Sequence, residues 1–113
     1  MSLRDNILQS KDMPLEPVEV EKWNSTVYIK TLSGGERLQL EKDLGQDEKC
    51  DGPAMCRVVC ATLSDEDGNL IFKYPDEIEL LNTKSVKELH RLFNIALKVN
   101  AMGKDDIEEL VKN

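Results

Sequence analysis

Residues 85–102 have the sequence SVKELHRLFNIALKVNAM, in which apolar side chains recur at every third or fourth position. Because an α-helix turns once in about 3.6 residues, this spacing places them along one helical face. The residues of that face are Val86, Leu89, Leu92, Phe93, Ala96, Leu97 and Asn100. The stretch predicts an amphipathic helix from Ser85 to about Met102, with Gly103 at its end and the apolar face in the core.

Three other segments share the helix-start pattern seen at Ser85. In each, a residue that can cap a helix is followed three positions later by Glu, the spacing of a capping box. The four segments are SGGE (33–36), DEIE (76–79), SVKE (85–88) and DDIE (105–108). They predict a helix that starts at Ser33 and is closed by Gly45 in a left-handed conformation. They also predict two short helices, over residues 76–81 and over a last segment containing Ile107, Leu110 and Val111.

The N-terminal part of the chain has the two-residue period of half-buried β-strands. Its alternating apolar residues are Val18, Val20, Val27 and Ile29. We expect a β-hairpin with strands 18–22 and 26–31 and with Trp23-Asn24-Ser25 as its turn. Before it, residues 4–10 can form one helical turn. Residues 11–17 are predicted to be an extended linker, because prolines 14 and 17 lack amide donors.

The middle of the chain, residues 53–74, has two interpretations. Asp51-Gly52-Pro53 provides a helix start, and the apolar residues that follow up to Leu63 have helical spacing, so we favour a helix. The alternative is a β-hairpin of residues 57–64 and 70–74 that turns at Asp67-Gly68-Asn69, because Asp-Gly is a strong turn dipeptide. Residues 46–51 show no periodicity and are predicted to be a loop.

Together these elements predict an α+β fold, a mostly helical small domain with an N-terminal β-hairpin over 18–31 that packs on the helices. We expect a set of largely buried residues: Val20, Val27, Ile29, Leu40, Leu89, Phe93, Ala96, Leu97 and Leu110. A chain of 113 residues is long enough for one hydrophobic core, so residues 1–113 are expected to form a single domain.

Charge and composition exclude several classes of partner. Twenty-two Asp and Glu against fifteen Lys and Arg give a net charge of -7, and the Lys residues are scattered, so binding to nucleic acid is not expected. No stretch approaches the roughly 18 apolar residues of a membrane span. Three cysteines, an odd number, argue for a reducing cytosol.

Cys50, Cys56, Cys60 and His90 are the residues that could hold zinc or act as a thiol nucleophile. Their spacing, C-x5-C-x3-C with a distant histidine, matches no zinc knuckle or ribbon, and small thiols that fill a core are commoner. We therefore expect no catalytic, cofactor-binding or metal-binding residues. A small cysteine- or metal-dependent enzyme is the alternative function.

Two local patterns resemble functional loops. Residues 32–37, LSGGER, look like the signature peptide of ATP-binding cassette ATPases, but the phosphate-binding loop G-x-x-x-x-G-K-[ST] is absent from the sequence. Residues 65–69, DEDGN, resemble the middle of a calcium loop. With Gly68 at the sixth position, Leu63 and Tyr74 would occupy the first and twelfth positions, where acidic ligands are required. A helix cap and a solvated turn explain the two patterns.

Three aromatic residues, Trp23, Phe72 and Tyr74, lie near predicted turns. Aromatic side chains in such places more often pack at the rim of the core, but they are also the residue type enriched at binding sites. They are the candidate partner-binding residues.

Five segments carry a further signal in their order and spacing. They are LRDNIL (3–8), VEKW (20–23), VYIKTLSGGER (27–37), DEDGNLIF (65–72) and a closing part from Leu92-Phe93 to DDIEELVKN (105–113). In this order they resemble the tail assembly chaperones of long-tailed phages and prophages, over nearly the whole chain. Cys56 and Cys60 stand where aliphatic residues would be expected.

This resemblance implies a non-enzymatic helper of virion assembly, without a cofactor, in the host cytoplasm and absent from the mature virion. Such a protein binds the helical tape measure protein and keeps it soluble while tail tube subunits polymerise around it. Its self-association is expected to be weak or open-ended. A generic bacterial adaptor protein is a second alternative.

The resemblance also implies a longer form, made by ribosomal frameshifting, that recruits the tail tube protein. Val111-Lys112-Asn113 can be encoded as GTA AAA AAC, which contains the slippery sequence A-AAA-AAC, and Gly103-Lys104 can be encoded as GGG AAA. We therefore expect this chain to be the short form of such a pair.

Overall fold

A computed structural model describes residues 2–46 and 53–112 of the chain. Its helices are α1 (Leu3–Gln9), α2 (Gly34–Leu44), α3 (Pro53–Thr62), α4 (Ile78–Leu81), α5 (Val86–Val99) and α6 (Lys104–Lys112). Its strands are β1 (Leu15–Val20), β2 (Ser25–Lys30) and β3 (Leu63–Ser64). The predicted α+β class, mostly helical with an N-terminal hairpin, is confirmed. The predictions for the loop after Gln46, for Cys50 and for a cap at Asp51 lie outside the described residues.

The three strands form an antiparallel sheet in the order β1-β2-β3. Val18 lies opposite Val27 and Leu15 lies opposite Lys30, so the predicted hairpin is confirmed. Its strand starts at Leu15, however, and the linker predicted for 15–17 is wrong. Pro17 is tolerated within β1 because this strand is at the edge of the sheet. The first strand ends at Val20 instead of residue 22, because the turn is a short 3-10 helix, Glu21–Trp23, followed by Asn24 in the left-handed conformation at φ 51°. Ser25, predicted to be in the turn, is the first residue of β2.

The helical interpretation of the middle segment is confirmed over Pro53–Thr62, and the hairpin alternative, with a strand from 57, is wrong there. The chain nevertheless reverses at residues 65–69 as that alternative predicted. Ser64 of β3 bridges to Leu70, and the Asp65 amide donates to the Asn69 carbonyl at 2.9 Å. The Asp65 carboxylate accepts the Asp67 amide at 2.9 Å, and Gly68 has a φ of 86°, so turn chemistry decides this loop.

The core lies between α5, α3 and the sheet. From α5 it receives Leu89, Leu92, Phe93, Ala96 and Leu97, and from α3 it receives Ala54, Met55, Cys56, Val58, Val59, Cys60 and Ala61. The predicted core residues are buried except Leu110, which is half-buried. Val86, assigned to the apolar face of α5, is 69% exposed because it stands at the first turn.

The capping box predicted at Ser33 is present. The Ser33 hydroxyl accepts the Glu36 amide at 3.2 Å, and the Glu36 carboxylate accepts the Ser33 amide at 2.9 Å. Glu36 also pairs with the Lys30 ammonium at 2.8 Å. Partial burial pushes the pKa of Glu36 upward, but the hydrogen bonds from Lys30 and Ser33 outweigh it and hold that pKa below its ordinary value.

The other three signatures mark helices but do not form the predicted caps. The Ser85 side chain makes no capping bond, and α4 begins after Glu77 instead of Asp76. At α6 the Asp106 carboxylate, and not Asp105, accepts the Gly103 amide at 3.0 Å. The Glu77 carboxylate instead accepts the amide of Lys73 at 2.7 Å, which shows how a neighbouring loop competes for a capping side chain.

Two helix ends differ from prediction. Gly45 has a φ of -64°, so α2 does not end in a left-handed residue. Helix α5 ends at Val99 instead of Met102, and the left-handed residue is Ala101, at φ 53°. The Met102 amide donates to the Leu97 carbonyl at 2.8 Å, a Schellman closure that turns Met102 into the core.

Candidate partner-binding groove

Two of the three candidate aromatic residues line one groove. Its volume is about 320 Å³, and we call it the Trp23–Phe72 groove. Its other lining residues are Ser25, Thr26, Val27, Leu63, Ile71, Leu81 and Lys84. The structure thus brings together residues from the hairpin, from β3, from the loop after it and from the end of α4.

The groove exists because β3 is short. Its two residues pair with Tyr28 and Ile29 only, and within the described chain the first three residues of β2 have no partner on that side. Ser25–Val27 form one wall of the groove. Trp23 ends the 3-10 turn at the tip of the hairpin, and Phe72 follows the reversal at 65–69, so both aromatic side chains border the uncovered part of the sheet.

The lining of the groove is apolar with one cation. Val27, Leu63 and Leu81 belong to the buried core, whereas Ile71 is 46% exposed. Lys84 is the charged residue among the lining residues, and none of them is acidic. Burying one aliphatic side chain of a partner here would contribute about 1.5–3 kcal/mol, the usual value for complete removal from water.

Tyr74, the third candidate, does not line this groove. Its ring is half-buried, and its hydroxyl donates to the Asp43 carboxylate of α2 at 2.6 Å. The same carboxylate accepts the Gln39 amide at 2.9 Å, and Arg57 donates to the Tyr74 hydroxyl at 3.5 Å. Burial, with the added effect of Asp43, raises the pKa of Tyr74. These bonds tie the loop to α2 and α3.

Sequence reasoning missed Ile71, Leu81 and Lys84. Ile71 could have been found, because it adjoins Phe72 in the short apolar run after the Asp-Gly turn. Leu81 and Lys84 carry no such local signal, since only the packing of α4 brings them to the hairpin.

Cys56 and Cys60 share the inner face of α3, as their spacing predicts, and both are buried. The Cys56 thiol donates to the Asn82 side-chain oxygen at 3.1 Å. Burial raises the pKa of both thiols, that of Cys60 to about 11 with help from the nearby Glu77 carboxylate. Such thiols are protonated at neutral pH and are poor nucleophiles.

His90 is exposed on α5, where its ring lies 3.4 Å from the Asn94 amide. Within residues 2–46 and 53–112, no three His, Cys, Asp or Glu side chains are grouped so that they could hold a metal ion. No helix in those ranges is both long and apolar enough to cross a bilayer.

Helix α1 contributes no buried residue, and it exposes Leu3, Ile7 and Leu8. Other exposed apolar side chains are Met13, Leu38, Leu70, Leu80 and Val86.

Fold and groove together describe a small α+β protein that has an open apolar recess and buried, protonated thiols. This architecture is similar to that of a solved structure, the tail assembly chaperone of bacteriophage HK97. The two structures match with a TM-score of 0.58 and 20% sequence identity, over 85% of this chain and 95% of the chaperone. No family model and no curated protein matches the chain. The similarity to phage tail assembly chaperones is thus confirmed at the level of the fold.

Proposed function

We propose that this protein is a phage tail assembly chaperone that acts as a single, non-enzymatic domain in the host cytoplasm. The observation that carries this proposal is the common fold with the HK97 chaperone along 85% of the chain. The proposed client is the tape measure protein, and the proposed task is to keep this client soluble while the tail tube polymerises. The protein needs no cofactor, binds neither nucleic acid nor membrane, and is absent from the mature virion.

The Trp23–Phe72 groove is the surface that fits this task best. A tape measure protein is a long helical chain whose apolar side chains must be covered until the tube encloses it. An apolar groove can accept such side chains one or two at a time, in the way that amphipathic helices dock on other proteins. A groove of about 320 Å³ holds little of the client, so useful affinity requires many copies along one client chain.

Two further partners belong to this proposal. Copies of the chain associate weakly and in an open-ended manner, so that they can follow a repetitive client. A longer form, produced by frameshifting near the end of the short reading frame, recruits the tail tube protein.

Co-expression with the tape measure protein of the same genome tests the proposal. We expect the client to remain in the soluble fraction only with the chaperone, and to lose this protection with Ile71→Glu, which introduces a charge at the rim of the groove. Ile71 is 46% exposed, so the fold tolerates the change. The matched control is Leu38→Glu on α2, where the side chain is 70% exposed and does not line the groove. A client that is equally soluble without the chaperone would contradict the proposal.

A further inference from the structure

We propose that the Trp23–Phe72 groove selects client segments in which an apolar anchor stands between an acidic residue and a basic residue. This inference rests on the proposed function, because it names the chemistry of the client at the same groove. The charges that would make this selection lie in two recesses that share Ser25 and Thr26.

On one side, the groove has a cationic rim. Lys84 is exposed, its amide donates to the Leu81 carbonyl at 3.1 Å, and it lines the groove without an acidic neighbour in that lining. At physiological ionic strength charges are screened over about 8 Å. Lys84 therefore contributes more to the electrostatic energy of a ligand in the groove than distant carboxylates do.

On the other side, an adjoining recess is acidic. Glu19, Val20, Glu21 and Asn24 line it, and it shares Ser25 and Thr26 with the groove. Glu19 and Glu21 are exposed, and no cation is among the described residues that line this recess. The Arg91 guanidinium donates to the Glu19 carbonyl at 2.9 Å, but it also lies 3.6 Å from the Glu88 carboxylate, which offsets its charge. The two recesses that share Ser25 and Thr26 therefore carry opposite charges in their linings.

A segment with one charge sign cannot match both sides. An acidic residue near Lys84 is attracted, but a second acidic residue one helical turn beyond the anchor would meet Glu19 and Glu21. Two basic residues have the reverse conflict at Lys84. A segment with one charge of each sign satisfies both sides, because residues one helical turn, about 5.4 Å, before and after the anchor lie on the same face of the helix.

Three designed helical peptides test this inference. Each carries a leucine anchor with one charged residue a turn before it and one a turn after it: Glu and Lys, two Glu, or two Lys. Trp23 is the single tryptophan of the chain and lines the groove, so its fluorescence reports binding if the peptides lack aromatic residues. We expect the mixed peptide to bind about three- to tenfold more tightly than either like-charged peptide.

A second peptide-binding experiment reverses the charge at Lys84. With Lys84→Glu both sides become acidic, and we expect the dibasic peptide to bind most tightly instead. Lys11→Glu changes the net charge by the same amount in the exposed segment before β1, and should keep the preference for the mixed peptide.

If affinity for the unaltered protein follows net charge alone, with the dibasic peptide tightest and the diacidic one weakest, the inference is overturned. It is also overturned if no peptide changes the fluorescence of Trp23. In both cases the proposed function is judged separately, because the co-expressed tape measure protein would still be protected if the chaperone role is correct.

Discussion

The Asn100 side chain makes three hydrogen bonds to backbone groups of the described chain. Its side-chain oxygen accepts the Leu32 amide at 2.8 Å, and its side-chain nitrogen donates to the carbonyls of Lys30 and Ala96. It is 7% exposed, so water cannot replace these bonds. One amide thus joins the end of α5 to the connection between β2 and α2.

We predict that Asn100→Ala lowers the free energy of unfolding by about 2–4 kcal/mol, because it leaves buried backbone groups without partners. Urea denaturation followed by circular dichroism measures this loss. Asn94→Ala, at an exposed position of α5, should change it by less than about 0.5 kcal/mol. Equal effects of the two variants would refute the role given to Asn100.

Phe93 is a buried core residue of α5, the helix that Asn100 follows. Its ring is 7% exposed, so Phe93→Ala should cost about 3–5 kcal/mol through the cavity that it leaves. Val86→Ala, at a position 69% exposed, provides the control and should change stability little. A small loss for Phe93→Ala would mean that the ring serves an interface instead of the core.

The buried thiols of Cys56 and Cys60 should be protected from chemical modification in the folded protein. In a Cys50→Ser background, Cys56 and Cys60 should react slowly with a thiol reagent at pH 8 and quickly after unfolding in urea. The reason is their burial, which raises the pKa of Cys60 to about 11. Rapid reaction of one thiol in the folded protein would revive the thiol-enzyme alternative.

At the scale of elements, caps and turns decide where helices begin. The Ser33–Glu36 capping box is the one whose bonds match its sequence pattern, and it is tied to β2 through Lys30. This ion pair makes the start of α2 sensitive to pH.

Because the pKa of Glu36 is lowered on folding, its ionised form stabilises the protein above its ordinary pKa of 4.5. This contribution is lost as the pH falls through the lower pKa of the folded state. Glu36→Gln should therefore be less stable than the unaltered protein at pH 7, and the difference should shrink towards pH 3. Thermal unfolding across this range would detect it, and a difference that does not depend on pH would contradict it.

Helix α1, unlike α2, has no buried residue. Deletion of residues 2–9 should shift the melting temperature by less than about 2 °C, since an exposed element adds little to stability. A large shift in scanning calorimetry would show that α1 packs on the core in solution.

The sequence predicts elements better than it predicts contacts between them. Periodicity identified α5 and the hairpin because both depend on local spacing. It missed the strand start at Leu15, because edge position, and not composition, makes Pro17 acceptable. The site shows the same limit: Trp23 and Phe72 lie at turns and could be found, whereas Lys84 reaches the groove only through the tertiary packing of α4.

At the scale of the whole molecule, the protein combines a buried core with exposed apolar side chains such as those of Leu38 and Ile71. Light scattering at micromolar concentration should show a monomer or a weakly associating species. The reason is that copies that must line up along a repetitive client cannot at the same time close into a stable dimer of their own. A tight closed dimer would contradict the open-ended association that we propose.

Sedimentation of the purified protein with the proposed client, the tape measure protein, tests whether the groove binds that client. We expect that several copies of the chain move with each client chain in a fast complex, that Ile71→Glu abolishes this complex, and that Leu38→Glu preserves it. If the unaltered chain sediments alone in the presence of its client, or if Ile71→Glu binds as well as Leu38→Glu, the groove is not the client-binding surface.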